Sequence, residues 1–190
     1  MELSLFSFPL LRRHKKSKMQ TWQAIHDRRS IRSFRKEGVS REVLVRLVNE
    51  AAVWAPSGGN AQTWRFVIID DYLLLDKIRM ISPGLLGEPA ALIVICQDTK
   101  AAKQKGSEAG EMLSLLDTGM AAQNIMLAAY DLGLGTCAVA SFHCKALQVL
   151  LSLPEEIVPY LLITVGKPSV IPQPPQRRMD VWRLNCESFR

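Results

Sequence analysis

The longest helical window in the chain, residues 108–132, constrains the fold more than any other stretch. It carries apolar side chains around most of its circumference, and few charges interrupt them. Such a helix cannot leave one broad side in water, so the window predicts a central helix that its own domain covers on one side. The other side is then available to a second subunit. Gly133 ends the window.

Short apolar runs predict the strands of a sheet that packs with this helix. Strands are predicted at residues 65–70, where 66–69 are unbroken by polar residues, at the wholly apolar run 90–96 and at the apolar run 160–165, with a shorter strand at 136–139. The first is expected to be buried on both faces. Further helices are predicted at residues 21–29, 40–54, 72–81 and 145–153. Ser40 is the expected N-cap of the second of these helices, and Trp22 and Ile25 are expected to face inward in the first.

The 190 residues, 48% of them hydrophobic, suffice to bury one sizeable core. We expect residues 1–18 to form a flexible tail and residues 19–190 to form a single domain. Its last part, residues 167–190, is rich in proline and has no core of its own, so it is expected to lie as an extended arm. The aromatic residues near its end favour an arm laid against the rest of the protein.

The net charge of +6 is compatible with nucleic acid, a membrane surface or an anionic ligand as partner. The excess lies in the basic residues of the tail and in Arg177 and Arg178, and the middle of the chain is nearly balanced. No basic stripe alternates with aromatic residues, so we expect no nucleic-acid partner. No window approaches the length of a membrane span, and the apolar-then-basic order of the tail is the reverse of a secretory signal. A cytoplasmic location is therefore expected.

A first polar cluster follows the predicted helix 21–29. Arg28, Arg29 and Arg32 surround Ser30 and offer guanidinium groups and a hydroxyl to one small anion, as a terminal phosphate requires. Cations at the end of a helix also complement its dipole without binding any ligand. The cluster alone leaves these two interpretations open.

A second polar cluster lies on the loop between helix 40–54 and the first strand. Pro56 and Ser57 are followed by Asn60 and Gln62, whose amides can both donate and accept hydrogen bonds. That combination suits the mixed edge of a heteroaromatic ring. The alternative is an ordinary connecting loop.

No pair of side chains in the sequence has the pattern of a nucleophile and its base. His26 and His143 stand alone, and the four cysteines form no CxxC pair, so neither a zinc site nor a redox dithiol is expected. A phosphate-binding motif and a dinucleotide-binding motif are also lacking. An anion site and a ring-edge site without catalytic side chains indicate a cofactor that itself carries the reaction.

At these residues the chain resembles the nitroreductase family of FMN-dependent oxidoreductases, from about Trp22 to about Arg178. The resemblance rests on four segments in the family's order. They are residues 28–34 (RRSIRSF), 55–57 (APS) with 60–66 (NAQTWRF), 132–137 (LGLGTC), and 166–168 (GKP) with 174–178 (PPQRR). Two positions depart from the family pattern. Thr63 stands where proline is usual, and Ala140 stands where some members carry an acidic residue.

The resemblance implies an α+β fold with a central mixed or antiparallel sheet flanked by helices, in an intertwined homodimer with FMN at each interface site. Arg28, Arg29, Ser30 and Arg177 would then hold the phosphate. Arg32 would lie near N1 and O2 and stabilise the reduced flavin electrostatically. The remaining contacts would come from Pro56, Ser57, Asn60 and Gln62 of the partner subunit, and from the backbone of Ala138, Val139 and Ala140 near N5.

The implied activity is hydride transfer from NADPH or NADH through flavin N5 to a small acceptor such as a nitroaromatic or a quinone. No catalytic side chain and no metal are expected beyond the electrostatic role of Arg32. Residues 82–88 are the only obvious material for a lid over the ring. The alternatives are a flavin-binding sensing or storage protein without turnover, and a specialised flavin-destroying or dehalogenating relative. A basic nucleic-acid-binding module is a third.

Overall fold

The structure is a computed structural model, and it describes residues 20–106, 109–179 and 181. The predicted tail, residues 1–18, and the aromatic end of the predicted arm lie outside the described residues. Within the described part of the chain, no helix is long and apolar enough to cross a membrane.

Four antiparallel strands form the central sheet. They are β1 (Trp64–Ile69), β2 (Ala91–Asp98), β3 (Gly135–Val139) and β4 (Ile157–Gly166), in the spatial order β1-β2-β4-β3. The two middle strands are the apolar runs that the sequence singled out, and the side chains of β2 are buried as far as Gln97. The expected α+β architecture, a central sheet flanked by helices, is thereby confirmed.

Six helices surround the sheet in the described residues. They are α1 (Thr21–Asp27), α2 (Arg41–Asn49), α3 (Tyr72–Met80), α4 (Thr99–Gly106), α5 (Gly110–Asp131) and α6 (Cys144–Leu150). The Ser40 hydroxyl accepts a hydrogen bond from the Val43 N–H at the start of α2, which confirms the predicted cap. The predicted helix 40–54 was too long, because its last part is a separate 3₁₀ turn, Ala52–Trp54. Helix α4 was not predicted.

The helices pack on both faces of the sheet. Alternate residues of β2 point to opposite faces, so Ile93 and Ile95 join a core with α2 and α5. Leu92 and Val94 join a second core with α3 and α6. Burial on both faces explains why β2 reads as a continuous apolar run and not as an alternating one.

Two predictions about burial were wrong. Strand β1 lies at an edge of the sheet and is only partly buried, because it has one neighbouring strand instead of two. In α1 only Ala24 is buried, while Trp22 is 73% exposed and Ile25 is 45% exposed. Both side chains point away from the core of the chain.

The central helix α5 has two sides of different character. Small and polar residues such as Ala121, Ala122 and Thr118 face the sheet and allow a close approach of the helix backbone. Large apolar residues lie on the outer side, where Met112, Leu115 and Leu116 are each more than half exposed. The single chain therefore covers only one side of this helix.

Candidate functional site

The arginine cluster lies on an extended segment that runs beside β3. Ser30 forms a parallel bridge with Thr136, and the Ile31 N–H donates to the Thr136 carbonyl at 2.8 Å. The cluster is therefore not one turn of a helix end, as the sequence suggested, because α1 ends at Asp27 and the chain then extends. The edge of the sheet holds the segment in place.

Gly135 lets this segment come close to β3. A side chain at Gly135 would place its Cβ 2.7 Å from Cγ1 of Ile31, which is itself 4% exposed. That distance is shorter than real carbon contacts, so glycine is required for the approach. The glycine-containing segment 132–137 thus has a packing role at the arginine cluster.

The beginning of the C-terminal arm is tied to the same segment. The Arg35 N–H donates to the Lys167 carbonyl at 2.9 Å, and the Ser169 N–H donates to the Ser33 carbonyl at 3.0 Å. The hydroxyls of Ser33 and Ser169 are 2.6 Å apart. These contacts place the arm alongside the arginine segment and explain how Arg177, more than a hundred residues away in sequence, comes near Arg28.

The Arg28 guanidinium lacks a counter-charge within the described residues. Its Nη1 atom is buried and has no hydrogen-bond partner there. Burial, and then the positive charges of Arg29 and Arg177, lower the pKa of Arg28 from its ordinary value. A buried donor without an acceptor is unfavourable, and three cations at one place require an anion. A phosphate group would satisfy both requirements, so the residues present fit the phosphate of FMN.

Arg29 also has a structural role. Its Nη1 donates to the carbonyl of His26 at 2.6 Å and to that of Arg28 at 2.9 Å. The first of these carbonyls belongs to the last turn of α1, so the helix-end interpretation of the cluster holds for this side chain. Arg28 makes no such contact, and the two arginines therefore differ in function.

The segment predicted to approach the flavin N5 lies further along β3. Ala138 and Val139 end the strand, and Ala140 follows it. Ala140 lies four positions after Thr136, which corresponds to about 13 Å of extended chain. The arginine cluster and this segment therefore lie along one edge of the sheet, and the Arg32 side chain is exposed.

Residues 82–88 pack against the body of the protein. Ser82 and Leu85 are buried, and the Gly84 N–H donates to the Ser141 carbonyl at 3.1 Å. A side chain at Gly87 would lie 2.2 Å from the Arg32 carbonyl, so the loop backbone touches the arginine segment. Residues 82–88 thus form a loop that packs against the protein and contacts the backbone of Arg32.

The second polar cluster forms a tightly folded loop, residues 57–62, which we call the ring-edge loop. Gly59, Asn60 and Gln62 all have a positive φ, between 51° and 57°. For the two residues other than glycine this conformation costs about 1 kcal/mol or more each. The Gln62 N–H donates to the Ser57 hydroxyl at 3.2 Å, and the Gln62 Nε2 donates to the Asn60 Oδ1 at 2.8 Å. Pro56 precedes the loop and is exposed.

Three residues, Thr63, Gln97 and Asp117, hold this loop from the side of the core, a role that the sequence did not indicate for any of them. All three are at least 97% buried. The available signal for Asp117 was a carboxylate in the middle of the apolar window 108–132, whose other acidic residues lie near its ends. Gln97 follows an apolar strand and gave no comparable signal.

The two predicted clusters do not meet within one chain. Thr136, beside the arginine cluster, is aligned through β4 with Ala91 at one end of β2. Trp64, at the end of the ring-edge loop, is aligned with Gln97 near the other end of β2. Ala91 and Gln97 are six positions apart along β2, which corresponds to about 20 Å of strand. The two clusters are therefore at least about 20 Å apart, and they lie on opposite edges of the sheet.

Comparison with known sequences identifies the family. The sequence model of the Nitroreductase family matches residues 25–82 and 76–167. The chain belongs to the nitroreductase family. A relative from Methanothermobacter thermautotrophicus, named by prediction an NADH dehydrogenase/NAD(P)H nitroreductase, is 30% identical over 83% of this chain and 82% of its own. The FMN reductase (NADPH) of Bacillus subtilis is 26% identical over 90% of this chain and 77% of its own.

Solved structures of the nitroreductase family share the fold described above. A protein from Exiguobacterium sibiricum, named by prediction a nitroreductase and solved in complex with FMN, superposes with a TM-score of 0.76. The match covers 87% of this chain and 96% of the other, at 20% sequence identity. This likeness confirms the nitroreductase fold that the sequence motifs implied.

Proposed function

We propose that this nitroreductase-family chain is an FMN-dependent oxidoreductase that uses NADPH or NADH to reduce a small acceptor such as a nitroaromatic or a quinone. The observation that carries the proposal is the buried Arg28 Nη1 without a partner, with Arg29 and Arg177 beside it. The names of the relatives, an NAD(P)H nitroreductase and an NADPH-dependent FMN reductase, support the same cofactor and donors.

Each polar group of the proposed site has a distinct task. Arg28, Arg29, Ser30 and Arg177 bind the phosphate by charge-assisted hydrogen bonds. The exposed Arg32 would supply positive charge near N1 and O2 of the ring and would favour the reduced form of the cofactor. The amides of Asn60 and Gln62 would bind the ring edge, and the backbone of residues 138–140 would offer polar groups near N5. FMN, when bound, supplies the N5 atom that accepts and donates the hydride.

The proposed site is shared between two copies of the chain. The ring-edge loop lies at least about 20 Å from the arginine cluster of its own chain, so it can serve only the cofactor bound by a partner. The exposed apolar side of α5, with Met112, Leu115 and Leu116, supplies a surface for the second copy. We therefore propose a homodimer, located in the cytoplasm, with FMN at each interface.

The absorption spectrum of the purified protein tests this proposal. A flavin spectrum that bleaches on anaerobic addition of NADPH or NADH is the expected result, followed by recovery of the colour when the acceptor is added. A flavin that neither nucleotide bleaches would favour the sensing or storage alternative. Protein that is colourless and does not take up added FMN would refute the proposal.

Arg32 is tested separately. We expect Arg32→Ala to lower the midpoint potential of the bound flavin or to slow its reduction by the nucleotide, because the ring loses a compensating positive charge. The natural control is Arg35→Ala, since Arg35 lies three residues away and is also exposed. If the potential and the reduction rate of Arg32→Ala equal those of the unmodified protein, Arg32 has no electrostatic role.

A further inference from the structure

The ring-edge loop is not held in its conformation by its own contacts alone. Three of its residues have a left-handed backbone, and two of these are not glycine. The hydrogen bonds that side chains make within the loop join exposed groups, where water competes for them. A strained and exposed loop keeps one conformation only when its surroundings fix it. The contacts that do so lie beneath the loop.

The first anchor joins the start of the loop to α5. The Asp117 Oδ1 accepts a hydrogen bond from the Gly58 N–H at 3.1 Å, and Asp117 is 3% exposed. A side chain at Gly58 would lie 3.2 Å from the Leu113 side chain, one turn earlier on the same helix. The loop backbone therefore rests directly against α5 at this point.

The second anchor joins the residue after the loop to the same helix. The Thr63 hydroxyl donates to the Gln97 Oε1 at 2.7 Å. The Gln97 Nε2 in turn donates to the Ser114 carbonyl at 3.0 Å and to the Thr118 hydroxyl at 2.7 Å. Gln97 is fully buried and uses both its acceptor and its donors in these contacts. Its amide is therefore fixed in one orientation.

Both anchors end on one helix, within about one turn of each other. The loop is thus fixed to α5 at Gly58 and at Thr63, and the exposed amides of Asn60 and Gln62 lie between the two points. The Lys105 Nζ adds a contact to the Ala61 carbonyl at 2.9 Å, but that lysine is exposed. The buried contacts determine where the two amides stand.

We propose that Asp117, Gln97 and Thr63 are positioning residues for the cofactor site. They hold the ring-edge loop on α5, so that the amides of Asn60 and Gln62 meet the ring edge without rearrangement. This inference rests on the proposed function, because it assigns the loop to the flavin. All three residues are buried, so they act through the loop and not by direct contact.

The experiment compares two pairs of variants of the full chain. Thr63→Val keeps the shape of the side chain but removes its hydroxyl, whereas Thr63→Ser keeps the hydroxyl. Asp117→Ala removes the acceptor of the Gly58 N–H, whereas Asp117→Asn keeps an oxygen at that place. Asp76→Ala, on the surface of α3, is the control for loss of a carboxylate. FMN affinity, the midpoint potential of bound FMN, turnover per bound flavin and thermal stability are measured for each.

Thr63→Val and Asp117→Ala are expected to weaken FMN binding about tenfold, to shift the midpoint potential, and to lower kcat/KM per bound flavin by about 10- to 100-fold. Thr63→Ser, Asp117→Asn and the Asp76 control are expected to remain close to the unmodified protein. The proposal is overturned if Thr63→Val and Asp117→Ala only melt at lower temperature and are otherwise unchanged. If Asp117→Ala does not fold, the isosteric Thr63→Val decides. Failure of the unmodified protein to bind FMN would instead refute the proposed function.

Discussion

Replacing Arg28 by methionine should make the cofactor-free protein more stable and its binding of FMN weaker. The buried Nη1 has no acceptor in the described residues, and Arg29 and Arg177 repel the guanidinium. A buried charged donor without a partner costs about 1–3 kcal/mol, and the lower end applies because Arg28 is only half-buried. Arg28→Met should therefore raise the free energy of unfolding by about 1 kcal/mol, or Tm by about 2–4 °C.

The same substitution removes one or two charge-assisted hydrogen bonds to the phosphate. A loss of about 3 kcal/mol raises Kd for FMN about 100-fold. FMN at 100 times the original Kd stabilises the unmodified protein by about 2.7 kcal/mol, but it would stabilise Arg28→Met by only about 0.4 kcal/mol. The variant should thus melt higher than the unmodified protein without FMN and lower than it with FMN.

Thermal melting of FMN-stripped protein, with and without added FMN, measures both effects. Arg35→Met is the matched control, because Arg35 is exposed and its nearest carboxylate, Glu37, is 3.9 Å away. The control should change neither the melting temperature nor the shift on adding FMN by more than about 2 °C. The reasoning is refuted if Arg28→Met melts below the unmodified protein without FMN and keeps the full FMN-dependent shift.

Three further predictions follow from the packing. Gly135→Ala should lower the free energy of unfolding in urea by about 1–3 kcal/mol, because its Cβ would overlap the buried Ile31 side chain. Gly38→Ala should be neutral, since nothing lies within 4 Å of that site, and equal effects of the two substitutions would contradict the packing argument. Leu116→Asp puts a charge on the exposed apolar side of α5, so it should halve the mass measured by analytical ultracentrifugation and abolish FMN binding. An unchanged mass would exclude this face as the dimer interface. Burial raises the pKa of the Cys96 thiol to about 12, so iodoacetamide at pH 8 should label Cys96 only after unfolding. Peptide mass spectrometry measures the labelling, and rapid labelling of the folded protein would contradict the burial of this thiol.

The sequence alone was sufficient to predict most of the sheet and the long helix. Strands β2 and β4 lie in the middle of the sheet, and their continuous apolar runs reflect burial on both faces. Strand β1 has a similar run but lies at an edge, so composition could not distinguish its position from that of β2. The inward orientation expected for Trp22 and Ile25 failed for a related reason, because an apolar side chain makes burial favourable but does not ensure it.

The arginine cluster could be located from the sequence, but the role of each arginine could not be predicted from it. Three arginines near a serine left an anion site and a helix end equally open. The structure separates them, because the Arg29 side chain binds the His26 carbonyl while the Arg28 Nη1 is buried without an acceptor. The contribution of Arg177 depends on the arm, whose contacts at residues 167 and 169 join parts of the chain that are far apart in sequence.

The local chemistry of the chain and its family could be read from the sequence alone. Apolar periodicity, the Ser40 cap and four short motifs in order are local signals, and each depends only on neighbouring residues. Which groups lie close together follows from the folded arrangement of distant segments. The alignment of Thr136 and Trp64 at opposite ends of the sheet puts the two polar clusters far apart within one chain, and the burial of Asp117 and Gln97 makes them anchors of a strained loop. Such relations arise from strand register and helix packing between distant residues, and no local pattern encodes them.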